Sequence, residues 1–193
     1  MKIVFATHNP NKLKEVKQLL PSSIELLSLD DIGCFDEIPE TGDTLEENAK
    51  IKADYVTNNY GHSCFSDDTG LLIEALNGAP GVYSARYAGG QKNAKDNMTK
   101  VLTELKGKTN REAHFKTVIH LNLEGGSHIF EGIVNGSITE NVVGVRGFGY
   151  DPIFKPKGFA ETFGELPAKT KNSISHRGRA VQKLIAFLKT QTL

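Results

Sequence analysis

Residues 113–123 alternate in character along their whole length. Ala113, Phe115, Thr117, Ile119, Leu121 and Leu123 stand against His114, Lys116, Val118, His120 and Asn122. This is the period of a β-strand, whose side chains point to opposite faces in turn. Glu124-Gly125-Gly126-Ser127 then reads as a hairpin turn, and residues 128–134 read as the returning antiparallel strand. The chain is therefore committed to a β-sheet with a long hairpin in it. His114, His120 and His128 fall on the polar side of that hairpin, without HxH or HExxH spacing, and read as solvated side chains rather than metal ligands.

The segments before the hairpin alternate between strand and helix patterns. Lys2 to Ala6 reads as a short buried strand, followed by Thr7-His8-Asn9-Pro10-Asn11-Lys12. Asn9 is a good helix N-cap and Pro10 a good first helical residue. Leu13, Val16, Leu19 and Leu20 then share one face of a helix. A strand running into a helix N-terminus offers backbone N–H groups and a favourable dipole to an anion. No GxxxxGK[ST] loop is present, so this is not a Walker A site. Residues 24–29 read as a second strand and 30–39 as irregular. Thr44 and Glu47 form a capping box that opens a helix reaching about Asn59, with Gly61 as its stop. Asn48 and Lys52 lie one turn apart on that helix. Glu40 precedes it in a glycine-containing loop, where a carboxylate can reach a metal.

Ser66-Asp67-Asp68-Thr69-Gly70-Leu71 reads as a strand that stops, turns and restarts. His62 to Ser66 enters the turn and Gly70 to Glu74 leaves it. Adjacent carboxylates repel and each prefers water. Two of them between buried strands call for a divalent metal or a set of N–H donors; the plain alternative is an acidic turn. Further on, residues 93–106 read as a helix. Gly147-Phe148-Gly149-Tyr150-Asp151 places an aromatic between two glycines, where the backbone can approach a ligand and the ring can offer a flat face. Ser175 can cap a final helix with Val181, Leu184, Ile185 and Leu188 as its apolar stripe. His176 and Arg177 then fall in its first turn, where cations oppose the dipole, so a negative or carbonyl-rich group is expected beside them.

The 193 residues suit one domain or a two-lobed unit, and 38% hydrophobic content allows a real core. Twenty-three basic residues balance 23 acidic ones, which argues against nucleic acid as a partner. No apolar run approaches the length of a bilayer span, and the N-terminus lacks a signal peptide's apolar region. Cys34 and Cys64 read as free, buried thiols in a reducing cytoplasm.

Taken together, an anion site with Lys12, acids at Glu40, Asp67 and Asp68, an aromatic in a glycine loop and a Lys171/His176/Arg177 group point to metal-assisted phosphoryl chemistry on a nucleotide. The chain resembles the inosine triphosphate pyrophosphatase family over nearly its whole length. The resemblance rests on the Thr7–Lys12 segment, Glu40-Thr41-Gly42, Glu47-Asn48-Ala49, Ser66–Leu71, Gly81–Tyr87, Phe148–Phe154 and Ser175-His176-Arg177-Gly178, in the family's order. Before Lys171 the run Pro167-Ala168-Lys169-Thr170 departs from the acidic residues that relatives often carry there.

The resemblance implies an α/β fold: a single domain over 1–193, two-lobed around a long twisted mixed sheet flanked by helices, with the active cleft between the lobes. It implies hydrolysis of inosine, deoxyinosine and xanthosine triphosphates to the monophosphate and pyrophosphate, which cleanses the nucleotide pool. It implies Mg2+, a cytoplasmic homodimer, and neither nucleic acid nor membrane as partner. By the same resemblance Asp68 is the general base and, with Glu40, a magnesium ligand. Thr7, His8, Asn9, Pro10, Asn11, Lys12 and Lys52 are expected at the phosphates, and Thr69 at the substrate. Phe148, Gly149, Tyr150, Asp151, Lys171, His176 and Arg177 are expected at the base. The rival readings are a Maf-type nucleotide pyrophosphatase, which the SHR and FGYDPIF stretches disfavour, and a nucleotide-binding module without turnover, which the intact Lys12, Glu40 and Asp68 disfavour.

Overall fold

The computed structural model describes residues 1–191. The strands are β1 (Lys2–Phe5), β2 (Glu25–Leu27), β3 (Cys64–Ile73), β4 (Pro80–Gly81), β5 (Glu112–Leu123), β6 (Gly126–Ile138) and β7 (Phe154–Pro156). The α-helices are α1 (Pro10–Leu19), α2 (Leu45–Tyr60), α3 (Ala94–Glu104), α4 (Ala168–Ile174) and α5 (His176–Gln191). The strands form a mixed sheet in the order β2-β1-β3-β5-β6-β7, with β4 beside β3. β1 pairs parallel with β2 and β3, while β3–β4 and β6–β7 are antiparallel. The expected α/β class and mixed sheet are what the chain forms.

By its contacts the chain divides into two compact units. The first comprises residues 1–68, 117–132 and 177 onward. Its core follows from the pleat of β1. Ile3 and Phe5 face one way, into a cluster with Val16, Phe65, Ile119, Leu121, Ala180, Val181, Leu184 and Leu188. Phe5 stacks on Phe65 with ring centroids 4.7 Å apart. Val4 and Ala6 face the other way, into a cluster with Leu29, Cys34, Ile38, Val56 and Cys64. So α1 and α5 cover one face of β1 and β3, and α2 covers the other. The second unit comprises residues 69–116 and 133–176. It has its own core of Leu71, Ile73, Val101, Leu105, Phe115, Val134, Ile138, Ile153, Phe154 and Phe163.

Local expectations mostly hold. Asn9 caps α1, accepting from the N–H groups of Asn11 and Lys12, with Pro10 in the first turn. Thr44 and Glu47 make the capping box of α2, and Gly61 ends it with φ +70°. Glu124 and Gly125 take φ of +50° and +79° and turn the chain between β5 and β6, as the sequence requires. Cys34 and Cys64 are free and buried. Two expectations fail, and one helix comes unannounced. The acids at 67 and 68 lie on no turn, because β3 runs unbroken from Cys64 to Ile73. Residues 168–174 form a short helix that no amphipathic period announced. His120 is not solvated: it is 2% exposed. Among the described residues no helix is long and apolar enough to cross a membrane.

Candidate active site

An unbroken β3 changes what the adjacent acids are. Successive side chains on a strand point to opposite faces, so Asp67 and Asp68 are neighbours in sequence but not in space. Asp67 shares the face of Phe65, toward α1 and α5. Asp68 shares the face of Cys64 and Ser66, toward α2, where the Ser66 hydroxyl donates to the Ala49 carbonyl. The pleat thus sorts one carboxylate to each side, and each side answers it with cations.

On the α1 side Lys12 Nζ donates to Asp67 Oδ1 at 2.8 Å and Arg177 Nε donates to Asp67 Oδ2 at 2.9 Å. The Asp67 side chain is 1% exposed. Burial opposes its charge, yet Lys12, Arg177 and Lys52 together hold its carboxyl far below the usual carboxylate range. Arg177 Nη1 reaches on to Glu15 Oε2 at 2.5 Å. The cation expected to need a negative neighbour at the start of α5 finds it in the protein's own Asp67 and Glu15. Glu15 escaped the sequence reading. Its only signal was a position three residues beyond Lys12, on the same helical face; its partner is 162 residues away.

On the α2 side Lys52 Nζ lies 2.5 Å from Glu40 Oε1 and 3.4 Å from Asp68 Oδ1. The lysine projects from mid-helix, and the glutamate comes from the loop ahead of the cap. Burial is the largest influence on Asp68 and raises its pKa; Lys52 and Lys12 pull the other way, and Glu40 and Asp67 add to the rise. Burial disfavours the Lys52 ammonium, but Asp68, Glu40 and Asp67 outweigh it and raise its pKa. Lys12 is shifted downward, because its burial outweighs the attraction of Asp67.

The Thr7–Lys12 segment closes this side of the first unit. Its first helical N–H groups, those of Asn11 and Lys12, donate to Asn9 Oδ1 at 3.0 and 3.2 Å. The Asn9 N–H donates to Thr7 Oγ1. His8 is exposed, with Nε2 2.9 Å from the Asp36 carbonyl oxygen. Pro10 and Asn11 are exposed on the first turn of α1.

The second unit gathers the expected base-side residues. The Asp151 carboxylate is 2% exposed and accepts from the Phe148 N–H at 2.8 Å and from Lys171 Nζ at 2.5 Å. The same ammonium sits 4.8 Å from the centre of the half-buried Phe148 ring. Gly147 and Gly149 flank Phe148 with φ of +72° and +62°. A Cβ on Gly147 would run into Asp151 Oδ2. Tyr150 is buried and its hydroxyl donates to the Ser84 carbonyl at 2.7 Å, which secures the loop from below. His176 is buried and stacks on Phe115, with centroids 4.5 Å apart. Thr69 is half-buried at the start of this unit's stretch of β3.

The structure therefore brings Lys12, Lys52, Glu40, Asp67, Asp68 and Arg177 together in the first unit, and Phe148, Asp151 and Lys171 together in the second. Among the described residues no three His, Cys, Asp or Glu side chains gather as a ready metal cluster, His114, His120 and His128 included.

Known proteins similar to this chain bear on what such a cluster does. A family model described as the Ham1 family matches residues 3–187. A dITP/XTP pyrophosphatase of Flavobacterium johnsoniae is 62% identical over 188 residues, covering 97% of this chain and 98% of that protein. One from Flavobacterium psychrophilum is 57% identical over 189 residues, covering 98% and 100%. Among solved structures, the Staphylococcus aureus Ham1 protein superposes with a TM-score of 0.90 at 36% identity, covering 99% of this chain and all of that one, 100%.

Proposed function

The chain belongs to the Ham1 family, and from that premise we propose that it is a nucleoside-triphosphate pyrophosphatase acting on deoxyinosine, inosine and xanthosine triphosphates. The products are the nucleoside monophosphate and pyrophosphate, and the role is to clear non-standard purines from the nucleotide pool. The observation that carries the reading is the cluster of buried Lys52, Asp67 and Asp68 with partly buried Lys12 and Glu40: cations for a polyphosphate beside carboxylates for a hard metal.

Magnesium suits the donors present. Glu40 and Asp68 already converge on one positive charge, the Lys52 ammonium. Two carboxylates completed by water and substrate phosphates are a usual magnesium set. Bound there, the ion would neutralise phosphate oxygens and fix the chain of phosphates in place. Lys12 and Lys52 hold the same oxygens. Asp68 takes a proton from the water that attacks the α-phosphorus in line, and pyrophosphate leaves. Phe148 stacks on the purine, and the Lys171 ammonium, steadied by Asp151, is a donor on the base side. A 6-oxo purine meets such a donor with an acceptor, whereas adenine presents an amino group. Mismatched polar groups in a buried site discriminate by factors of about 10⁴. A Maf-type activity or binding without turnover is not favoured.

We place the enzyme in the cytoplasm, on its free buried thiols and its substrate, and expect a homodimer. The test is a panel of purine triphosphates with magnesium, with the phosphate product identified. Pyrophosphate from deoxyinosine and xanthosine triphosphates, with ATP at least about a hundredfold slower, is the expected result. Orthophosphate release, or equal rates with ATP, would overturn the reading.

A further inference from the structure

Asn97 is buried one turn into α3, where asparagine is a weak helix former and its amide is costly to bury unpaired. Both ends of that amide are paired with one short stretch of chain. Oδ1 accepts from the Ala88 N–H at 2.7 Å; Nδ2 donates to the Ala85 carbonyl at 3.0 Å and, more loosely, to the Ser84 carbonyl at 3.4 Å. A backbone N–H only donates and a carbonyl only accepts, so the amide has one orientation. The stretch it holds is the 3-10 turn Ser84–Arg86, which no side chain caps. The Ser84 hydroxyl donates to the Gly81 carbonyl at 2.6 Å and accepts from the Leu71 N–H of β3 at 2.9 Å. The Ser84 carbonyl accepts from the Tyr150 hydroxyl at 2.7 Å. Burial pushes the Tyr150 phenol up, so it stays a donor. Asn97, Ser84, Tyr150 and Phe148 all belong to the second unit.

From this chain of contacts we propose that Asn97 is a positioning residue for the purine, acting through the Ser84 turn and Tyr150 to hold Phe148 where the base stacks on it. Tyr150 lies two residues past Phe148 and is part of the second unit's core. Gly147 and Gly149 give the loop between them no stiffness of its own, so the ring takes its place from the contacts on either side. Asp151 holds the Phe148 N–H, and Tyr150 holds the loop to the Ser84 carbonyl. That carbonyl is only as fixed as the turn that carries it, and Asn97 pins the turn at its Ala85 and Ala88 ends. A shift of the turn passes to Tyr150, because a hydrogen bond of that length tolerates little stretching, and from Tyr150 to the ring. Stacking acts on the base and not on the reacting phosphorus, so it serves substrate and transition state alike and its loss falls on KM. The Gly81–Tyr87 stretch thereby gains a part in base recognition through its backbone.

The inference rests on the proposed stacking of the purine on Phe148, and the test separates the two. Steady-state kinetics on deoxyinosine triphosphate with magnesium read KM and kcat, and urea unfolding reads stability. Phe148→Ala should raise KM about tenfold or more, the usual weight of a base stacked on an aromatic ring. Asn97→Leu keeps the size of the side chain, suits a helix better and removes every bond to the turn. It is expected to raise KM about tenfold, the scale of one hydrogen bond, with kcat within about twofold of wild type. A merely structural role would lower the urea midpoint and, through the folded fraction, the apparent kcat, and would leave KM alone. In a Tyr150→Phe background, Asn97→Leu should raise KM less than about twofold, because residues acting through one another are not additive. An unchanged KM in Phe148→Ala would overturn the stacking role and the inference with it. A raised KM in Phe148→Ala with a wild-type KM in Asn97→Leu would overturn the role of Asn97 alone. A rise that persists undiminished in the Tyr150→Phe background would do the same. If Asn97→Leu does not fold, Asn97→Ala decides: an unchanged KM in that variant overturns the proposal.

Discussion

Asp67 and Asp68 show how one backbone rotation per residue sets chemistry. Both are buried, at 1% and 9% exposure, yet they face different cations and carry opposite shifts. Asp67 is fixed as a carboxylate between Lys12 and Arg177 and has no proton to trade. Asp68 is pushed toward proton uptake by its burial, as a base must be. Their substitutions should therefore fail in different assays. Asp68→Asn should lower kcat by about 10²–10⁴, the usual weight of a general base, with the fold intact by circular dichroism. Asp67→Asn should instead leave two buried cations short of a counter-charge and destabilise the protein by about 3–5 kcal/mol, read as a lower urea midpoint. A stable, active Asp67→Asn variant, or an active Asp68→Asn variant, would contradict this division.

At the level of elements, the site is built where regular structure gives way to a held loop. The Gly147–Asp151 loop is the clearest case. Its two glycines both have positive φ, but only Gly147 also lies against Asp151; a Cβ at Gly149 meets nothing. Gly149→Ala should cost about 1–2 kcal/mol of backbone strain with little change in KM. Gly147→Ala adds a collision with the carboxylate that holds the Phe148 N–H and Lys171, so it should raise KM several-fold more than Gly149→Ala does. Equal KM values for the two variants would show that Asp151 does not organise the platform. Much of this scale was legible in the sequence. Thr44 and Glu47 announced α2, Asn9 and Pro10 announced α1, and the alternation at 113–123 announced β5, because each signal is local. The unbroken β3 was not legible. Aspartate and glycine normally break strands, and here they are tolerated because cations distant in sequence, Lys12, Lys52 and Arg177, answer the charges. Glu15 was hidden for the same reason: a carboxylate on a helix face has the appearance of a solvated charge until α5 arrives to meet it.

For the molecule as a whole, balanced charge leaves no strong net field, so its acid sensitivity falls to individual buried groups. His120 on β5 is the clearest of these. Its Nε2 lies 2.9 Å from Ser127 Oγ and 3.2 Å from Asn122 Oδ1. The Asn122 amide donates to Asp54 at 2.8 Å, which makes its Oδ1 the acceptor and assigns the proton to His120 Nε2. Nδ1 is buried and meets no hydrogen-bond partner among the described residues. Protonating it places a charge with no acceptor in the interior. Burial lowers the imidazole pKa below its ordinary 6.5; Asp54 and Asn122 oppose that, and Lys50 and His128 reinforce it. The sign follows from linkage. Between the lowered folded value and 6.5 the unfolded chain binds the extra proton, so stability is complete above 6.5 and declines as pH falls through that window. The decline is at most about 1.4 kcal/mol per pH unit and levels off once the folded imidazole also protonates. His120→Gln keeps a donor at the Nε2 position and cannot titrate. Urea unfolding between about pH 7.5 and about pH 5 should show a steeper acid loss for the wild type than for this variant. Parallel curves would mean that the acid sensitivity lies elsewhere, among carboxylates such as Asp67 whose pairing is lost only at lower pH.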